Sequence, residues 1–163
     1  FSMVNDNGED VEIDINILAL TMEGNRIPLK SANGTCGPDA AVVLTEIDLT
    51  KLPDGALLAW NFIASNGMTG EGHHVRDTYK ALELRPSGLT FATTALPNGQ
   101  FEIEVTAKGL ALFVMLEADL PGRYSDNLFD LAAGETRRVL FTPKDENRHG
   151  RQPHFTILDL QSC

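Results

Sequence analysis

Gly122-Arg-Tyr-Ser-Asp-Asn-Leu-Phe-Asp-Leu-Ala-Ala-Gly-Glu135 is the stretch around which this chain is organised. An apolar run, Leu110-Ala-Leu-Phe-Val-Met-Leu116, leads into it, and Val139-Leu-Phe141 leads out. Two breakers bound it, Pro121-Gly122 and Ala133-Gly134, each of a kind that turns a chain between strands. Asp126 and Asn127 are placed to hydrogen-bond nearby backbone and hold an irregular connection. Tyr124 is expected to bury its ring and satisfy its hydroxyl on a carbonyl. Phe129 reads as buried. Arg123 is expected to pair with a local carboxylate.

Working outward, Phe101, Ile103 and Val105 alternate with Glu102, Glu104 and Thr106, which is a half-wet strand. Leu110 to Leu116 is apolar on both faces, as a strand covered twice must be. Leu89 to Ala95, Thr136 to Phe141 and Phe155 to Leu160 are further strands. Pro97-Asn98-Gly99 is a hairpin signal. The charged segment Lys144 to Pro153 reads as a solvated hairpin tip, with a docking loop as the second reading.

This half resembles the C-terminal immunoglobulin-like domain of β-mannosidases in glycoside hydrolase family 2. The resemblance rests on Phe101 to Leu116, on Gly122-Arg123-Tyr124-Ser125-Asp126-Asn127, on Phe129 to Leu131 and on Gly134-Glu135. The family carries an apolar strand, then Gly-Arg-Phe/Tyr-Ser-Asp-Asn, then Phe, then often Pro-Gly-Glu. Here Ala133 stands where Pro is common. The match covers Leu82 to Cys163 well and the first half loosely, through Val4-Asn5-Asp6 and the strand-like segments after it.

The first half reads as a second sandwich. Val11, Ile13, Ile15 and Ile17 alternate with Glu12, Asp14 and Asn16. Arg26 to Leu29 returns as a short strand, and Pro28 predicts an edge position. Ser31 to Asp39 reads as a loop, with Asn33-Gly34-Thr35 matching a glycosylation acceptor pattern inside it. Val42 to Leu49 is the next expected strand, and Lys51 to Gly55 a turn. Ala56 to Ala64 is apolar and holds the only tryptophan, Trp60. Trp60 reads as core, with a sugar-stacking platform as the sharper alternative. Ser65 to Gly72 reads as a flexible loop and Val75 to Leu84 as a last strand or connector. His73 and His74 point to opposite faces of any strand, so they do not share a metal. The fold class is therefore all-β, two tandem immunoglobulin-like antiparallel β-sandwiches. The expected domains are 1–84, of the mannosidase immunoglobulin/carbohydrate-binding-like type, and 85–163, with a boundary at Arg85-Pro-Ser-Gly88. Only Ala107 to Leu110 and Leu128 to Ala133 look helical.

Composition narrows the function. The chain has 163 residues and a net charge of -10, which argues against nucleic acid and anionic membrane. No stretch is long and apolar enough to span a bilayer. Phe1-Ser-Met-Val-Asn-Asp6 lacks the form of a signal peptide and reads as a cut inside a longer chain. Cys36 and Cys163 suggest free thiols rather than a disulfide framework. That cysteine usage and the scarcity of sequons favour a bacterial cytoplasm or periplasm. Glycoside hydrolysis needs two carboxyls held across a sugar bond. Glu102 and Glu104 lie on a wet face, and Asp126 and Asp130 are the only candidates for an organised acidic site. Ser125 has no nucleophile-elbow context. No calcium-loop or zinc pattern occurs. No catalytic, cofactor-binding or metal residue is therefore assigned, and no cofactor is expected. The structural motif is Gly122, Arg123, Tyr124, Ser125, Asp126, Asn127, Phe129 and Gly134, and Trp60 and Tyr124 are the candidate sugar contacts.

The resemblance implies a parent enzyme that releases terminal non-reducing β-D-mannose from oligosaccharides with retention, through two glutamates in a (β/α)8 barrel. This fragment would support that barrel, which is its expected partner, while the mannose-containing glycan is the parent's substrate. A carbohydrate-binding or adhesion module is the alternative, and a free-standing enzyme is a third reading.

Overall fold

The computed structural model describes residues 1–144 and 152–162. The expected tip between Lys144 and Pro153 lies mostly outside the described residues, and Cys163 lies outside them too. The chain divides into two compact units, Phe1–Thr21 with Arg26–Leu82, and Met22–Asn25 with Glu83–Cys163. Both are built from antiparallel strands, so the all-β sandwich class stands.

In the first unit β2 (Val11–Leu20) pairs with β3 (Arg26–Cys36) and with β5 (Leu57–Ala64), and β5 pairs with β6 (Thr69–His74). The sheet order is β3-β2-β5-β6. β1 (Ser2–Asn5) and β4 (Ala40–Val43) make a separate two-stranded sheet. The isoleucine alternation of β2 buries Ile15 and Ile17, which pack with Leu58 and with half-buried Phe1, Trp60 and Phe62.

Three sequence expectations fail here. Ser31 to Cys36 is not a loop but the continuation of β3. Pairing with β2 overrides the low strand preference of Ser, Asn and Gly. Ser31 Oγ donates to Asn16 Oδ1 (2.8 Å), and Gly34 sits where a Cβ would come within 2.7 Å of Leu44 Cδ2. The Asn33-Gly34-Thr35 pattern thus lies on a strand. β3 is an edge strand, as Pro28 predicts, and a register shift between Ile17 and Leu18 skips Leu29.

Val42 to Leu49 is not one strand. β4 ends at Val43, and Phe1 O then takes the Leu44 and Thr45 N–H groups. Asp48 Oδ1 accepts from Thr50 N (3.0 Å) and starts a short 3-10 helix, Leu49–Lys51. Ser65 to Gly72 is only partly a loop, because β6 begins at Thr69. Gly70 and Gly72 stand opposite Phe62 and Trp60. A Cβ there would come within 2.5 Å of Phe62 Cε1 and 2.7 Å of Trp60 Cζ2, so the rings lie over the bare glycine backbone. Val75 to Leu82 is a connector, with a 3-10 turn at Tyr79–Ala81.

The second unit holds a larger sheet, β10-β12-β8-β7, and a smaller one, β11-β9-β13. Its strands are β7 (Thr90–Ala95), β8 (Phe101–Thr106), β9 (Ala111–Ala118), β10 (Gly122–Tyr124), β11 (Phe129–Leu131), β12 (Thr136–Pro143) and β13 (Phe155–Leu158). Ile103, Val105, Val139 and Phe141 of the larger sheet meet Val114, Leu116, Phe129, Leu131 and Phe155 of the smaller. Ala111, Leu112, Val114 and Leu116 of β9 are all buried, in keeping with its apolar run. Leu128 to Ala133 is not helical. Phe129 and Leu131 are both buried, two residues apart, as strand geometry requires and helix geometry does not.

Candidate functional site

The 122–135 stretch connects the two sheets of the second unit. β10 pairs with β12 in the larger sheet, and β11 pairs with β9 in the smaller. Gly122 enters under Phe141, whose ring would overlap any Cβ at that position. Tyr124 lies against the same ring, with centroids 4.9 Å apart, and Phe141 meets Phe155 edge-on at 5.2 Å. The expectation for the Tyr124 hydroxyl fails. It is buried with no hydrogen-bond partner among the described residues. Burial first, and then the charge of Glu117, push its pKa up to about 12.

Beyond Tyr124 the side chains take over the ladder. Ser125 N donates to Leu140 O (2.8 Å), and Leu140 N donates to Ser125 Oγ (2.9 Å). Two residues later Asn127 does the same for the other sheet. Its Oδ1 accepts from Leu116 N (2.8 Å) and Leu128 N (3.1 Å), and its Nδ2 donates to Leu116 O (3.0 Å). A primary amide carries one acceptor and one donor side by side, so it can imitate a strand residue beside β9. Leu128 N then donates to Val114 O (2.9 Å).

The acidic groups are engaged in the same work. Asp126 does not cap backbone and Arg123 is not its partner. Arg137 Nη1 reaches Asp126 Oδ2 at 2.7 Å, with its guanidinium 4.8 Å from the centre of the Phe129 ring. Arg123 fails because Gly122 and Tyr124 take the inward positions of β10, which leaves the residue between them exposed. Asp130 Oδ1 accepts from Phe113 N (2.9 Å). Phe113 has φ 52, and two steps along β11, Phe129 to Leu131, oppose three along β9, Val114 to Ala111. Asp130 therefore holds a β-bulge. Glu135 Oε2 accepts from Ala132 N (2.8 Å) across a turn that Gly134 makes at φ 78.

The sequence reading missed Arg137, whose charge on a wet strand face looked generic, and a buried carboxylate. Asp159 is 2% exposed. Ser87 Oγ donates to its Oδ2, and Ser162 N (2.9 Å) and Oγ (2.7 Å) donate to its Oδ1. Ser87 lies 72 residues away in sequence, so no local pattern announces the pair.

Trp60 belongs to the first unit. Phe1 meets it edge-on at 5.3 Å and Gly72 backs it. Tyr124 belongs to the second unit. Among the described residues no group of three or more His, Cys, Asp or Glu side chains is placed to hold a metal. His73 and His74 point to opposite faces of β6, and His73 Nε2 lies 2.9 Å from Tyr79 Oη. Glu104 faces Arg138 at 3.0 Å on the surface.

Asn127→Ala is expected to destabilise the chain by about 2–3 kcal/mol, because the Leu116 N–H and C=O lose their partners. Urea unfolding measures it. Asn127→Asp, which keeps the acceptor and loses the donor, is expected to fall between the two. Tyr124→Phe is expected to leave stability below pH 10 unchanged or slightly raised, since the hydroxyl has no partner to lose. The Tyr124 pKa is raised in the folded state, so its contribution is intact below the ordinary value of 10.0 and is lost as pH rises towards about 12. The variant is expected to show a smaller alkaline fall in melting temperature than the parent chain over that window.

Comparison with known proteins gives a consistent result. A family profile, Ig_mannosidase, described as an Ig-fold domain, matches residues 84–163. No curated protein sequence matches the chain. Among solved structures the chain is similar to a β-D-mannosidase from Dictyoglomus thermophilum, with TM-score 0.73 and 15% identity. That match covers 98% of this chain and 20% of the other. It is also similar to an exo-chitosanase from Amycolatopsis orientalis, with TM-score 0.63 and 16% identity over 97% of this chain and 24% of that one. The chain thus spans a fifth to a quarter of those proteins, and at such identities the likeness shows the fold alone. Residues 84–163 thus match the Ig-fold domain family Ig_mannosidase, and the likeness of the whole chain to these solved structures is one of fold.

Proposed function

We propose that this chain is a non-catalytic C-terminal portion of a β-mannosidase that supports a catalytic barrel in the same polypeptide. The observation that carries the reading is the fate of the carboxylates. Asp126 is paired with Arg137, Asp130 with the Phe113 amide and Glu135 with the Ala132 amide. Hydrolysis of a glycosidic bond needs one carboxyl free to give a proton and another free to attack or to activate water. The motif offers neither, so its acids serve the fold.

The family match over residues 84–163 supports a glycosidase setting. The preference for terminal non-reducing β-D-mannose rests on the family's name and on the fold of the Dictyoglomus enzyme. The exo-chitosanase has the same fold, so the sugar is the finer part of the proposal. We take residues 1–84 as a separate sandwich domain and residues 85–163 as the second. Trp60 and Tyr124 are assigned to packing rather than to sugar, because Phe1 and Phe141 lie against their rings.

The test uses the 163-residue chain alone. With an aryl β-mannoside it is expected to show no turnover. Calorimetric titration with mannose and β-linked manno-oligosaccharides at millimolar concentration is expected to show no saturable heat. Turnover would contradict the reading outright, and saturable heat would favour a carbohydrate-binding module.

A further inference from the structure

The two sheets of the first unit are unequal. β3-β2-β5-β6 has four strands, and β1-β4 has two. A cavity of about 280 Å³ opens over the inner face of the larger sheet, floored by Ile13, Ile15, Trp60 and Phe62. All four β1 residues, Ser2–Asn5, line it, and no residue of β4 does. Leu44, the residue after β4, lines it as well, and the rest of the wall comes from outside β4.

The side of β1 away from β4 is an open edge. Among the described residues β1 pairs only with β4. Phe1 turns its main chain towards the β4 side, where its ammonium donates to Thr45 O (2.8 Å) and its carbonyl accepts from Leu44 N (2.9 Å). Main-chain direction alternates along an antiparallel strand, so Ser2 and Val4 turn their N–H and C=O groups away from β4. The rim is apolar and exposed, with Val4 at 67% and Met68 at 59%. An open strand edge above an apolar floor is what an added strand requires. Main-chain bonds supply the affinity, and alternate side chains fill the floor.

Polar side chains at the cavity are already engaged at Asn5 and at Asn66 Oδ1. The Asn5 amide is fully engaged, donating to the Glu9, Cys36 and Gly37 carbonyls and accepting from Asn7. Asn66 Oδ1 already accepts from Met68 N. An Ile and Phe floor offers sugar hydroxyls no partner, whereas apolar side chains lose no hydrogen bond there. The loop after β1 carries Asp6, Glu9 and Asp10, which favours an incoming segment with positive charge.

We propose that this slot receives one extended β-strand from another protein segment. The strand adds beside β1, lays alternate apolar side chains on Ile13, Trp60 and Phe62, and carries lysine or arginine near the Asp6–Asp10 loop.

Trp60 is the only tryptophan, so intrinsic fluorescence reads this slot directly. The full chain is titrated with a capped Lys-Val-Thr-Val-Thr-Val-Thr-Lys peptide. A saturable blue shift is expected. Val4→Pro removes an outward N–H, and is expected to weaken binding by about tenfold, the equivalent of one lost main-chain bond. The same peptide N-methylated at alternate residues tests the point with no change to the protein, and is expected to bind at least about tenfold more weakly. No saturable shift with the first peptide would overturn the proposal. Equal affinity of the N-methylated peptide, or a shift produced by manno-oligosaccharide instead, would also overturn it.

Discussion

The Asn127 amide stands in for a piece of strand, and the second unit depends on that substitution. A sandwich must move its chain from one sheet to the other without leaving buried main-chain groups unpaired. Here the crossing is made between Ser125, still bonded to Leu140 in the larger sheet, and Asn127, already bonded to Leu116 in the smaller. Only Asp126 lies between them, and Arg137 of β12 holds it while covering the Phe129 ring. The strap is short because side chains replace the backbone at both ends.

Packing explains the residues on either side. Gly122 is bare because Phe141 occupies the space of a Cβ, and the Tyr124, Phe141, Phe155 rings form a contiguous series between the sheets. The first unit uses the same device, with Gly70 and Gly72 lying beneath Phe62 and Trp60. In both places a glycine is set by the ring above it rather than by a turn. Burial of such a ring contributes about 1.5–3 kcal/mol, so these contacts rank among the larger single terms in each unit.

The fold class was legible because period-two alternation survives in β2 and β8, where one face is wet. Asn127 was legible as a backbone-bonding residue. What escaped was whatever depended on a distant partner. Ser31 to Cys36 looks like a loop until β2 lies beside it. Thr69 to Gly72 looks flexible until the aromatic rings cover its glycines. Arg123 and Arg137 are both plausible partners for Asp126 in sequence, and only the inward direction of β10's neighbouring side chains separates them. Asp159 looks like one more surface acid at the chain's end, yet its partner Ser87 makes it part of the core.

The measurement that tests the strap most directly is native-state amide hydrogen exchange at Leu116 and Leu140, compared with the core amide of Val105. If Asn127 and Ser125 complete the ladders, these amides open only when the second unit unfolds, and all three exchange at one common slow rate. Loop-like exchange at Leu116 and Leu140 beside a protected Val105 would show that the stretch merely lies across the sheets, and would contradict the account.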